Sequence, residues 1–118
     1  RRADGSTDPA SSGTLVFPDG RTQPINAGDL LITPEAYWTS PRSKARYPQR
    51  WRLRAPSLDL DLEVRSLLDD QELDTARSTR VTYWEGAVSA AGQAGGRAVT
   101  GQGYVELTGY AKRFTQRL

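Results

Sequence analysis

Leu58, Leu60, Leu62 and Val64 alternate with Asp59, Asp61 and Glu63. A period of two with acids on one side predicts a half-buried antiparallel strand whose leucines face a core. Residues 49 to 55, QRWRLRA, repeat the pattern, with Trp51 and Leu53 on one face and Arg50, Arg52 and Arg54 on the other. The arginine row and the acidic row are expected to pair across neighbouring strands. Upstream, TLVFP (14 to 18), the turn signal Asp19-Gly20 and RTQPI (21 to 25) predict a hairpin. DLLITP (29 to 34) predicts a third strand. The following segment, EAYWTSPRSKARYP, is bounded by Pro34 and carries Pro41 and Pro48, which predicts an irregular or edge excursion able to cover a barrel mouth. SLLDDQELDTA (66 to 76) is the one stretch that suits a helical turn, or equally a loop and a short strand, with Asp70 and Glu72 expected on an exposed turn.

The runs YWEGAV (83 to 88) and GQGYVELTGY (101 to 110) alternate as well, and the glycines of AAGQAGGRA between them supply the positive φ that a tight hairpin turn needs. A two-residue turn at Ala94 and Gly95 sets Glu85 opposite Tyr104 and Glu106 opposite Tyr83. Thr108 and Tyr110 share that face, while Trp84, Val88, Val105 and Leu107 point the other way. Gly101 and Gly103 are expected at bulges or bends of a curving sheet.

Strands spaced by about 8 to 12 residues, turn signals between them and no long helical period predict an all-β antiparallel barrel or sandwich of short strands. The chain has 118 residues, enough for one domain, and no run near the roughly 20 apolar residues of a membrane span. Sixteen basic and fourteen acidic residues give a net charge of +2 and are intermixed, so a nucleic-acid partner is not expected. The basic clusters RSKARYPQRWRLR (42 to 54) and AKRFTQR (111 to 117) read as exposed strand residues and a solvated tail, with arginine stacked on Trp51 or Tyr47. With no histidine and no cysteine, a usual zinc site, a thiol nucleophile and a histidine-based triad are excluded. No phosphate-binding or dinucleotide fingerprint is present, and no cofactor or metal is expected.

The succession WTSP (38 to 41), YPQRW (47 to 51), DQEL (70 to 73), YWEGAV and GYVELTGYA (104 to 111) resembles the C-terminal half of the carotenoid 1,2-hydratase and AttH-type predicted secreted hydrolase family, over roughly residues 13 to 111. The resemblance implies a lipocalin-like β-barrel over residues 13 to 118. It also implies that residues 1 to 12 are a strand tail and linker from an N-terminal lipocalin-like domain, against which this domain packs. With no methionine anywhere, Arg1 reads as internal to a longer chain whose signal peptide or anchor would lie upstream. A periplasmic, secreted or membrane-associated bacterial setting follows from the resemblance. A domain without its twin is expected to self-associate.

Two functions compete. One is a binding or structural domain that packs on its twin and helps hold a hydrophobic small molecule or lipid. Tyr83, Trp84, Tyr104, Tyr110, Trp38 and Trp51 are its candidate ligand-binding residues. The other is the catalytic half of an isoprenoid or carotenoid 1,2-hydratase. Adding water to an isolated C=C bond passes through a tertiary cation, which calls for a neutral carboxylic acid and aromatic faces. Glu85 and Glu106 beside the tyrosines are the candidate acids. The first function is the expected one.

Overall fold

The computed structural model describes residue 6, residues 9 to 74 and residues 82 to 111. Strands β1 (Ser12–Val16) and β2 (Thr22–Asn26) form the expected hairpin, closed at Asp19-Gly20 by Phe17 N–H to the Arg21 carbonyl and Gly20 N–H to the Phe17 carbonyl, both at 2.9 Å. The remaining strands, β3 (Leu31–Thr39), β4 (Arg46–Ala55), β5 (Leu60–Ser66), β6 (Glu72–Asp74), β7 (Thr82–Ala94) and β8 (Arg97–Leu107), make one antiparallel six-stranded sheet. Helix is limited to two 3-10 turns, Ala27–Asp29 and Pro56–Leu58. The edge strands β3 and β8 do not pair among the described residues. The expected all-β antiparallel fold with little helix holds, and among the described residues the barrel is not closed.

The 13 residues of β7 are the spine of this sheet. One edge takes β8 along its length, in an unbroken register from Trp84 opposite Leu107 to Ala94 opposite Arg97. The other edge is shared end to end by β5, against Ser89 and its neighbours, and by β6, against Thr82 to Trp84. The loop from Leu67 to Gln71 fills the gap between them: Leu67 N–H donates to the Ala87 carbonyl at 3.1 Å, and Glu85 N–H to the Gln71 carbonyl at 3.3 Å. The segment 66 to 76 thus follows the loop-and-strand alternative as far as it is described.

Alternation sets the two faces. Tyr47, Trp51 and Ala55 of β4, Trp84 and Val88 of β7 and Leu107 of β8 are buried on one face. Arg52 and Arg54 face outward beside Asp61 and Glu63 of β5. The expected cross-strand pairing holds: Arg52 bonds Asp61 at 2.7 and 2.6 Å, and Arg54 lies 3.9 Å from the same carboxylate. Glu63 is taken by Arg65 of its own strand at 2.7 Å. Pro34 and Glu35 lie at register irregularities of β3, an edge strand, where a missing amide costs no ladder bond on the open side. Pro48 lies in the part of β4 beyond its pairing with β5.

Two local expectations are corrected. Leu58 is not in the strand: Pro56–Leu58 form a 3-10 turn that ends on Asp59 in the left-handed region (φ 50°), so β5 starts at Leu60. Of the bulges or bends expected at Gly101 and Gly103, bulges are excluded, since the β7–β8 register runs through both without a shift. Gly103 instead makes room for Val88, whose Cγ2 would lie 3.3 Å from an added Cβ. The arginine stacking also differs: Arg46 sits over the ring of Tyr37 at 3.8 Å, while Tyr47 and Trp51 are core residues. The tail from Lys112 onward lies outside the described residues.

Candidate functional site

Polar side chains converge at Glu72, whose side chain is 2% exposed. Ser40 Oγ donates to Glu72 Oε1 at 2.6 Å, and Ser43 Oγ and Tyr47 OH donate to Oε2 at 2.5 and 2.7 Å. Arg42 Nε stands 3.7 Å from Oε1, and the same guanidinium is bonded to the carboxylate of Asp70. The serines are themselves set by turn geometry: Ser40 Oγ accepts the N–H groups of Arg42 and Ser43, and Ser43 Oγ accepts that of Ala45. The loop after Thr39 is thereby shaped to aim two hydroxyls and a guanidinium at one carboxylate, and Tyr47 of β4 adds the third hydroxyl.

Burial pushes the Glu72 carboxyl up, but the three hydroxyl donors and the Arg42 charge outweigh it and hold the group below the usual glutamate range. Tyr47 moves the opposite way. Burial first, and then its bond to ionised Glu72, push the phenol well above its ordinary value. An anion whose lone pairs are filled by donors is a poor proton donor, so the arrangement acts as a clamp between β6, β4 and the 40 to 45 loop. Three motifs of the sequence, WTSP, YPQRW and DQEL, meet at this point. The expectation that Glu72 lies on an exposed turn is overturned: the backbone of β6 against Tyr83 and Trp84 carries it inward. Asp70 is exposed as expected.

Beside the clamp lies an aromatic cluster. Trp38 stacks on Tyr47 at 6.2 Å between centroids, and Tyr110 meets Tyr47 at 5.8 Å. Trp84 is fully buried and donates its indole N–H to the Asp69 carbonyl at 2.7 Å. Ile32, Trp38, Val64, Val105 and Tyr110 pack on this cluster but are only partly covered. A cleft of about 210 Å³ opens near one end of this face, between Ser12, Ile25, Asn26, Leu30 and Ile32.

The candidate acids lie elsewhere. The turn of the β7–β8 hairpin is Gly95-Gly96 (φ 58° and 76°), one residue later than expected, which moves the register by two. Glu85 is opposite Glu106, and Tyr104 is opposite Ala87, in place of the expected Glu85–Tyr104 and Glu106–Tyr83 pairs. A shift of two preserves faces, so Tyr83, Glu85, Tyr104 and Glu106 do share one, as expected. That face is the outer one: Glu106 is exposed and Tyr104 is 66% exposed. Partial burial and then the charge of Glu85 push the Tyr104 phenol up. Tyr110 is separated from this group, because β8 ends at Leu107 and Gly109 (φ 81°) turns the chain back onto the core. Of the three tryptophans, Trp51 and Trp84 are core and Trp38 borders the open part of the aromatic cluster. Among the described residues no group of three or more histidine, cysteine, aspartate or glutamate side chains is arranged to hold a metal.

The comparisons with known proteins bear on this geometry. The family model for AttH-like proteins matches residues 1 to 110. An AttH crystal structure from Nitrosomonas europaea superposes with a TM-score of 0.72 at 34% identity, covering 84% of this chain and 29% of that one. Kievitone hydratase from Nectria haematococca superposes with a TM-score of 0.66 at 26% identity, covering 80% of this chain and 28% of the hydratase. The chain therefore spans less than a third of the length of either solved relative. No curated protein matches. The fold is that of the hydratase-like, lipocalin-like proteins, and the chain belongs to the AttH-like family.

Proposed function

We propose that this domain is the binding and structural half of a larger AttH-like protein, packing on a second lipocalin-like domain and lining a site for a hydrophobic small molecule or lipid. The observation that carries this is the incompletely covered core face, where Ile32, Trp38, Val64, Val105 and Tyr110 pack on the buried cluster while retaining contact with solvent. Apolar and aromatic surface of that kind gains free energy when a ligand or a second domain removes it from water. The buried acid beside it is ionised and fully engaged, so the face is suited to hold a ligand and not to protonate one. An extracytoplasmic setting, periplasmic, secreted or membrane-associated, is part of the proposal and rests on the resemblance to the predicted secreted hydrolase family alone.

A second function, the catalytic half of a hydratase acting on an isoprenoid C=C bond, is favoured by one observation: Glu85 and Glu106 are directly opposite each other with tyrosines beside them. It requires that another part of the longer protein cover the outer face and exclude water from these carboxylates.

Titration of tryptophan fluorescence with farnesol, an apolar isoprenoid probe, separates the two. Saturable quenching is expected, with Trp38→Ala weakening the affinity by about tenfold. Glu85→Gln and Glu106→Gln should bind within a few fold of the parent and leave no change in products, since the chain forms no hydrated farnesol. Hydration of farnesol that disappears in either glutamine variant would install the catalytic function instead.

A further inference from the structure

On the outer face of β4 and β5 the acids are already taken: Asp61 by Arg52 and Arg54, and Glu63 by Arg65. Arg50 shares that face and is left over. No hydrogen bond or ion pair joins its guanidinium to another of the described residues, and its Nε is buried with no acceptor. A charged N–H buried in that way is costly, and native proteins fill such positions with a side chain, a water or an ion. The β4–β5 register also sets Arg50 directly opposite Arg65. Like charges in that position repel, so two unfavourable features coincide at one point of the sheet.

The same row continues across the sheet, since Arg65 is opposite Ser89 of β7 and Ser89 is opposite Gln102 of β8. Adjacent strands thus present two guanidiniums, a hydroxyl and a side-chain amide at one level, with no carboxylate in the row. The acids flank it. Glu63 lies two residues along β5, bonded to one terminal nitrogen of Arg65, and Glu35 lies in the irregular part of β3. We propose that Arg50 and Arg65 hold a phosphate group, with Ser89 as a third donor. Neighbouring strands are about 4.8 Å apart, so long side chains from β4 and β5 and the short one from β7 can converge on one anion above β5. A phosphate carries about −1.5 to −2 charge at pH 7 and offers several acceptor oxygens. It therefore offsets both guanidiniums and gives the Arg50 Nε an acceptor, whereas a carboxylate offsets only one. The flat fork of arginine matches phosphate oxygens two at a time. The site lies on the face opposite the aromatic cluster, separate from the surface proposed to hold an apolar ligand.

The arginine Nε–Hε resonances of the isotope-labelled 118-residue chain, followed while inorganic phosphate replaces chloride at constant ionic strength, test the site. Saturable shifts are expected at Arg50 and Arg65, with half-saturation on the order of 1 mM. Arg46 and Arg54 should move little. Arg50→Gln and Arg65→Gln should each weaken phosphate binding at least about tenfold, and Arg54→Gln should leave it unchanged. Arg50→Gln removes an unpaired charge, so its thermal midpoint without phosphate should be no lower than the parent's. Phosphate should raise the midpoint of the parent and not that of the variant. Glycerol 1-phosphate separates the two sources of the group: comparable binding assigns the site to a phosphate monoester, and binding of inorganic phosphate alone assigns it to the free ion. Shifts that grow without saturation and alike at every exposed arginine, or glutamine variants at positions 50 and 65 that bind as tightly as the parent, would overturn the proposal.

Discussion

Glu72 accepts from Ser40, Ser43 and Tyr47 and lies near Arg42 in a site closed to solvent. Removing the acceptor strands several buried donors at once, so Glu72→Leu is expected to destabilise by about 3 kcal/mol. Glu72→Gln keeps the shape and one acceptor oxygen and should cost about half as much. Chemical denaturation of the two variants checks the order. The pH dependence has a defined sign. The folded carboxyl is held below its unfolded value near 4.5, so its contribution is present above that pH and is lost as the pH falls through the lower folded value. The thermal midpoint should therefore drop on acidification below about 4.5, and Glu72→Gln should flatten that part of the curve. Asp61, Glu63 and Asp70 shift in the same direction, each because of a hydrogen bond from arginine. These groups are exposed, and their share should fade in salt while that of Glu72 persists.

At the scale of elements, two glycines of β7 mark where the chain runs close to itself. An added Cβ at Gly86 would fall 2.3 Å from the side-chain amide of Gln71, which donates to the Leu68 carbonyl. Gly86→Ala displaces that amide, at a cost of about 1 kcal/mol, and in a Gln71→Ala background the cost should largely vanish. At Gly92 the obstacle is backbone, the Asp61 carbonyl oxygen at 2.1 Å, and no rotamer can relieve it. Gly92→Ala is expected to cost about 3 kcal/mol, and the two measurements together show whether the loop or the ladder is the stiffer support. The strands were largely legible because period two marks a half-buried strand from sequence alone, as in residues 60 to 64. The β7–β8 register was not. Gln93, Ala94, Gly95 and Gly96 offer more than one glycine-bearing dipeptide for the turn, and a slip of two residues leaves every face unchanged, so alternation cannot detect it. Strand β6 is too short for any periodicity. The Glu72 clamp was hidden for that reason, although the Ser-x-x-Ser spacing of Ser40 and Ser43 shortly before Tyr47 is a run of donors awaiting an acceptor.

For the whole molecule, sheet and two short 3-10 turns account for the described structure, so circular dichroism should show a strand-dominated spectrum with almost no helical signal. Which side of the sheet would take the proposed ligand was the part least accessible to the sequence. Both faces of the hairpin carry aromatics, and only tertiary packing decides that Trp84 and Leu107 go inward and Tyr104 and Glu106 outward. In the proposed function the ligand is held on the inner, aromatic face. Backbone and indole amide shifts of the isotope-labelled chain, followed during titration with farnesol, test it most directly. Saturable shifts are expected at Ile32, Trp38, Val64, Val105 and Tyr110, with Glu85, Tyr104 and Glu106 unmoved. Shifts concentrated at Glu85, Tyr104 and Glu106, with the inner face silent, would contradict it.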